Sequence, residues 1–243
     1  MLLMNNLKDN GFLILVRLSN IELFYSPREN ISGETISLTG DEFKHAVKVM
    51  RSKTGGTIYI TNGYGLIFKT EILSVEKDNL SAKIVETIKT ENKFENIFFC
   101  IPKLKNPGRF KFAIEKCVEL GVTNFIIYES NRTIDIGTNI ERWEKIALLA
   151  MKQSLRAYLP KIQLVNDLSN IAELSGEKII LEQNAEKNFK FNNDKSKIYY
   201  FIFGPEGGIT KDELEFFEND SIFSLSEHRL RSKTAIVKVA SLL

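Results

Sequence analysis

Ile198-Tyr-Tyr-Phe-Ile-Phe203, then Gly204-Pro205-Glu206-Gly207-Gly208, then Ile209-Thr210-Lys211-Asp212-Glu213, is the stretch on which the architecture turns. Its first six residues carry no charge and read as a strand buried on both faces. Thr210 with Glu213 three residues on forms a capping box, which predicts a helix over Lys211 to Phe217. Between them, three glycines around a proline let the backbone turn sharply and approach a ligand closely, because no Cβ stands in the way. A plain tight turn would need one glycine, two at most. The helix start supplies unpaired N–H groups beside that loop. The pattern is neither the GxGxxG of a dinucleotide site nor the GxxxxGK[ST] of a triphosphate site.

The next strand, Ile222 to Leu225, runs into Ser226-Glu227-His228-Arg229-Leu230-Arg231-Ser232-Lys233, and a last helix is expected over Thr234 to Leu243. Taken alone, this loop is most simply a solvated one with snorkelling arginines. Upstream the same alternation holds. Ile97 to Ile101, Asn124 to Tyr128 and Lys178 to Leu181 read as strands. Pro107 to Leu120 reads as an amphipathic helix stopped by Gly121, and Glu141 to Tyr158 as a long helix ending before Pro160. Strands alternating with helices predict an α/β domain over residues 95–243, with a parallel sheet covered on both faces and ligands at its carboxyl strand ends.

Residues 21–88 have a different rhythm. Ile36 to Leu38, Thr57 to Thr61, Leu66 to Leu73 and Leu80 to Val85 are short strand-like runs separated by Gly55-Gly56 and Asn62-Gly63-Tyr64-Gly65. One helix interrupts them at Asp41 to Met50, capped by Thr39 or Asp41, with Phe43, Val47 and Met50 on one face. A small β-barrel with a helix on its rim is the expectation. Thr87 to Phe94 is the linker, and residues 1–20 look like an extension.

The 243 residues are 43% apolar and 26% charged with a net charge of +2, ordinary for a soluble globular chain. Basic residues are nonetheless clustered. Lys44, Lys48, Arg51 and Lys53 lie in a stretch without acids, and five basic residues from Lys103 to Lys116 face only Glu115. Such patches suit phosphates or are merely solvated, and composition leaves both open. Cys100 and Cys117 have no metal-ligand spacing and sit in apolar segments, as core fillers do. Two histidines exclude a His-rich metal site. No apolar run approaches the ~18 residues of a membrane span, and the chain reads as cytoplasmic.

Taken together, Gly204 to Gly208 after one strand and Leu225 to Ala235 after the next resemble the RsmE family of SPOUT methyltransferases. Other segments agree in order: Glu42 to Arg51, Lys103 through Arg109-Phe110 to Val122, Ser130-Asn131-Arg132, and Met151-Lys-Gln153-Ser154-Leu-Arg156 with Leu159-Pro160. The resemblance covers the chain from about Phe24 to its end. It implies a PUA-like RNA-binding β-barrel followed by a SPOUT domain whose last third is tied in a trefoil knot. It also implies a homodimer that methylates N3 of a uridine in 16S ribosomal RNA, with S-adenosyl-L-methionine as cofactor.

The resemblance further implies that Gly204, Pro205, Glu206, Gly207, Gly208, Leu225, Ser226, Leu230, Thr234 and Ala235 wrap the cofactor, with Glu182 lining the same pocket. The ring nitrogen must lose a proton before it can attack a methyl group, so a cation near the developing uracil anion is required. Arg231 is the first candidate, with Arg229 and Arg156 behind it. Lys44, Lys48 and Arg51 would share a helix face and meet successive phosphates, with His45 beside them, and Lys103, Lys105 and Arg109 would continue the track. Three departures stand out: Ser226 where the family has Gly, Ser232 for Thr, and Lys233 for Glu. Ser226 would cost roughly 1 kcal/mol if a positive φ were required there. Two rival readings remain: a SPOUT enzyme with another RNA target, such as a ribose 2′-hydroxyl, or an RNA-binding homologue that has lost its cofactor.

Overall fold

The computed structural model describes residues 21–133, 137–217 and 221–243. The extension expected at residues 1–20 lies outside them. The chain divides into two compact units, one running to Asn92 and including Met151–Leu159, the other comprising Lys93–Ala150 and Pro160–Leu243.

The first unit contains strands β1 (Leu23–Tyr25), β2 (Ile31–Ser32), β3 (Thr35–Thr39), β4 (Thr57–Thr61), β5 (Leu66–Val75) and β6 (Asn79–Lys89), hydrogen-bonded in the order β1-β4-β5-β6-β3-β2. Alternate residues Ile36 and Leu38, Ile58 and Ile60, and Leu80 and Ala82 point into one core with Phe24, as the two-residue period of a strand requires. Phe24 lies on the strand at one end of the order and Ile36 on the strand next to the other end, so the sheet curls round. Ser26, just past β1, donates a 2.7 Å hydrogen bond to the Ser37 carbonyl of β3 across the gap.

The rim helix differs from its expectation. Gly40–Lys44 forms one α-helical turn (α1), and His45–Val49 continues it as a π-helical turn. The wider turn rotates each residue by less than an α-helical step, so Phe43 and Ala46 are buried while Met50, expected on the same face, is 47% exposed.

The helix expected to reach Tyr158 ends at Gln153. Leu155 adopts a left-handed φ of 56°, and the residues beyond it pack into the first unit, where Ala157 joins Leu23, Ile67 and Ile88 in a second core cluster. The turn Asn62-Gly63-Tyr64-Gly65 receives this segment. Gly65 donates to the Ala157 carbonyl at 2.8 Å and Leu159 to that of Gly63 at 2.9 Å. A Cβ on Gly65 would stand 2.4 Å from the Tyr158 hydroxyl, so no other residue fits there without displacing it. Lys152 pairs with Glu42 at 2.6 Å within the same unit. Burial of Leu155 and Ala157 outweighs helix continuation, which local sequence cannot register.

The second unit is a six-stranded sheet in which every pairing is parallel, with order β12-β10-β11-β7-β8-β9. Its elements are β7 (Ile97–Pro102), α2 (Pro107–Leu120), β8 (Asn124–Tyr128), α3 (Ile140–Gln153, whose last three residues belong to the first unit), β9 (Lys161–Leu164), α4 (Leu168–Ala172), β10 (Glu177–Leu181), β11 (Tyr199–Phe203), α5 (Lys211–Leu214), β12 (Ile222–Phe223) and α6 (Ser232–Leu242). Consecutive residues Phe99 and Cys100, and likewise Phe201 and Ile202, are fully buried, so both sheet faces are covered. Asn106 caps α2 and Pro107 opens it. Helix α5 is a single turn and stops short of Phe217. Strand β9 and helix α4 lie in a stretch that sequence periodicity left unassigned. Cys100 and Cys117 are buried thiols whose pKa burial pushes well above the usual thiol range, which removes both as nucleophiles at neutral pH.

Candidate active site

Three neighbouring strands, β12, β10 and β11, end on the same edge of the second unit's sheet, and their following loops enclose a cavity of about 1440 Å³. The Gly204–Gly208 loop follows β11, residues 182–187 follow β10, and the arginine loop follows β12. The two loops singled out from sequence are thus separated in the sheet by β10 yet wall one cleft.

Each wall is fastened from behind. The buried Tyr128 hydroxyl donates to the Phe203 carbonyl at 2.5 Å, holding the strand end from which Gly204 departs. Its burial raises the phenol pKa well above the ordinary value, so the hydroxyl remains a donor. Gly208 turns at φ 76° and donates to the Pro205 carbonyl at 2.9 Å. Ser232 Oγ reaches the Gly204 carbonyl at 2.7 Å. Gln183 Nε2 donates to the Ser226 carbonyl at 3.0 Å, and Lys238 Nζ to that of Leu225 at 2.9 Å.

Arg132, in the turn that follows β8, completes the rim. Its Nη1 donates to the Gly207 carbonyl at 2.6 Å, and its stem occupies the space a side chain at Gly207 would need, with a Cβ there lying 3.2 Å from the Arg132 Cβ and Cδ. The loop carrying Arg132 is held by Glu213. One carboxylate oxygen accepts from Asn131 N at 2.8 Å and the other from Thr210 N at 2.8 Å. Burial alone would raise the Glu213 pKa, but these hydrogen bonds outweigh it and hold the carboxyl below its ordinary value.

Of the residues proposed for the cofactor, Glu182, Gly204 to Gly208, Leu225, Leu230 and Ala235 line the cavity, as do Arg229, Arg231 and Arg109. Ser226 and Thr234 do not; Ser226 presents its carbonyl to Gln183 instead. Among the described non-glycine residues only Arg51 and Leu155 have positive φ, so Ser226 carries no left-handed strain. Lys233 turns its Nζ over the Phe112 ring, 4.9 Å from the centroid, and does not enter the cleft. Arg156 belongs to the first unit and lines no part of this cavity.

The proposed RNA track is divided. Lys44, Lys48 and Arg51 are exposed on the first unit, while His45 packs against Phe24 with the rings tilted by 58° and lies 3.7 Å from Glu22. Lys105 is exposed, and Arg109 pairs with Glu206 at 3.4 Å on the cleft rim. Lys103 corrects its expectation: it is 5% exposed and pairs with Glu129 and, at 2.6 Å, with Thr138 Oγ1, so its ammonium is used internally.

Sequence reading did not assign roles to Arg132, to the 183–187 loop or to Lys211, all of which line the cavity. The rule that ligands gather at parallel strand ends would have pointed to the first two. Among the described residues there is no cluster of His, Cys, Asp and Glu suited to a metal, and no helix is long and apolar enough to cross a membrane.

Comparison with known proteins bears on this geometry. Residues 90–243 match the RNA methyltransferase domain family, and residues 38–85 match the RNA methyltransferase PUA domain. The ribosomal RNA small subunit methyltransferase E of Bacillus subtilis is 27% identical over 220 residues, covering 83% of this chain and 86% of its own. That of Aquifex aeolicus is 28% identical over 232 residues, covering 92% and 99%. The crystal structure of the Neisseria gonorrhoeae enzyme of the same name, bound to S-adenosyl methionine, superposes with a TM-score of 0.80 at 26% identity, covering 91% of this chain and 95% of that one.

Proposed function

The chain belongs to the RNA methyltransferase family, with a PUA-like unit ahead of its catalytic domain, and from that premise we propose that it methylates N3 of a uridine in 16S ribosomal RNA with S-adenosyl-L-methionine as donor. The observation that carries the reading is the single cleft formed by the Gly204–Gly208 loop and the Arg229–Arg231 loop at the ends of parallel strands on either side of β10.

The cleft fits the cofactor. Its glycine wall leaves backbone groups open to a close ligand, and Leu181, Ile222, Leu225 and Leu230 offer apolar surface for a purine. Gly204 to Gly208, Leu225, Leu230 and Ala235 would hold the molecule, with Glu182 at the same mouth. When bound, it supplies an electrophilic methyl group. The cavity exceeds the roughly 300–1,000 Å³ of ordinary small-molecule sites, which leaves room for a base beside the cofactor.

The charge in the cleft suits an RNA substrate. Arg109, Arg132, Lys187, Lys211, Arg229 and Arg231 line it against Glu182, Glu186 and Glu206. Arg231 is the N-cap of α6, and its carbonyl accepts from Thr234 and Ala235 at 2.8 and 3.0 Å. Its backbone is therefore fixed, while the exposed guanidinium forms no ion pair with a described carboxylate. It would stabilise the uracil anion left when the N3–H proton departs. Arg229 would add to the same field.

Lys44, Lys48, Arg51, Lys105 and Arg109 would grip phosphates. The family likeness extends the proposal to a homodimer, to a trefoil knot in the last third of the domain, and to the assembled small subunit as substrate. The rival reading of a cofactor-free RNA binder rested on Ser226 and Lys233, and neither side chain enters the cleft. The test is methyl transfer to small subunits from a strain lacking the modification, with mass mapping of the RNA. One N3-methyluridine is expected; methylation of a ribose, or none, would refute the reading.

A further inference from the structure

Tyr64 is the one exposed residue in a buried turn. Thr61, Asn62, Gly63 and Gly65 are all buried, whereas Tyr64 is 53% exposed. The turn has little freedom. Tyr64 N donates to Asn62 Oδ1 at 2.8 Å, Gly63 N to Thr61 Oγ1 at 3.1 Å, and Gly65 N to the Ala157 carbonyl at 2.8 Å. Tyr64 also forms an antiparallel bridge with Tyr158. The ring is thus displayed from a rigid post, with only its own χ angles left to order.

Arg28 lies over this ring, its guanidinium carbon 3.8 Å from the centroid. That distance is van der Waals contact between flat groups, closer than the roughly 6 Å limit of cation–π attraction. An aromatic ring and a guanidinium held together at the surface are the two side-chain types on which unpaired RNA bases stack. Stacking needs a flat π-face and tolerates any base, so it adds affinity without a hydrogen-bond code.

We propose that Arg28 and Tyr64 form a stacking site for an unpaired base of the RNA substrate, separate from the cleft that holds the reacting uridine. The proposal deepens the functional reading above and depends on its RNA substrate. A neutral aromatic contact complements the exposed cations Lys44, Lys48 and Arg51 of the same unit, which act on phosphates.

The experiment uses the full chain and two readouts. Anisotropy of a labelled single-stranded 15-nucleotide RNA is compared with that of the matching duplex. In parallel, methyl transfer to unmodified small subunits gives KM and kcat. Tyr64→Ala should weaken single-strand binding about 5- to 30-fold and raise KM for the subunit, leaving kcat and cofactor KM unchanged. Tyr64→Phe should restore both, Tyr64→Leu should not, and the salt slope of binding should stay that of the native chain because no phosphate contact is lost. Single-strand affinity unchanged in Tyr64→Ala overturns the proposal, as does restoration by Leu. A changed sedimentation coefficient for Tyr64→Ala also overturns it, because the ring would then belong to a protein interface. If the native chain binds RNA but transfers no methyl group, the functional reading fails while the anisotropy still decides the stacking site.

Discussion

The hydroxyl of Ser232 donates a 2.7 Å hydrogen bond to the carbonyl of Gly204, fastening the first turn of α6 to the start of the glycine loop. The two residues follow strands that are not neighbours in the sheet, since β10 lies between β11 and β12. This bond therefore closes the ring of loops around the cleft. Ser232→Ala leaves a half-buried carbonyl without its partner at a cost of about 1 kcal/mol. The melting temperature should fall by about 2–4 °C, and cofactor Kd should rise up to about fivefold by calorimetry because the loop is less well held. Ser232→Thr, the family's usual residue, keeps the hydroxyl and should bind as the native chain does.

Arg231 lines the cleft with an exposed guanidinium on a fixed backbone. If it stabilises the uracil anion, its contribution exists only once the N3 proton has left. Arg231→Ala should then lower kcat about a hundred- to a thousandfold, the range for losing one preorganised charge-stabilising donor. Cofactor and RNA affinities should change little. A fall in RNA affinity matching the fall in kcat/KM would make Arg231 a binding residue instead.

Much of this site was legible because the strand–loop–helix grammar is local. Phe203 to Glu213 carries its own strand end, glycine turn and capping box, and the structure places each within a residue or two. Nothing local marks the residues that come from elsewhere. Arg132 reaches Gly207 across 75 positions of sequence, and Tyr128 reaches Phe203 across the same separation. The early end of α3 was hidden for the same reason: Leu155 leaves the helix to bury against β-strand residues more than sixty positions away. Lys103 illustrates the converse, where a basic residue in a basic stretch is consumed by a buried pair with Glu129. Charge patterning shows sign but not direction.

Glu213 gives the site a pH signature with a definite sign. Its folded-state pKa lies below the ordinary glutamate value of 4.5 because hydrogen bonds from Thr210 and Asn131 outweigh the burial that opposes charge. A carboxyl depressed on folding contributes stability that is complete above its unfolded pKa and is lost as pH falls through the folded value. Thermal melts should show native stability dropping below about pH 4.5 more steeply than in Glu213→Gln. The gap between the two proteins should narrow as the pH falls. Equal slopes would mean that the carboxylate is not held in its charged form by this network.

Arg132 and Gly207 should be energetically coupled, because one fills the space the other leaves open. A Cβ at position 207 would lie 3.2 Å from the Arg132 Cβ and Cδ and 3.7 Å from its Cγ. Gly207→Ala therefore forces the arginine stem aside and strains the 2.6 Å bond from its Nη1 to the Gly207 carbonyl. Arg132→Ala removes that bond but also removes Cγ and Cδ, two of the three crowding atoms. Each single substitution should weaken cofactor binding about 3- to 10-fold, and the double substitution by less than the product. The non-additivity should fall in the 0.5–3 kcal/mol range found for residues in contact. Strict additivity in calorimetry would show that the loop is positioned without Arg132. The glycine at 207 would then have to be explained by the ligand it faces rather than by the arginine beside it.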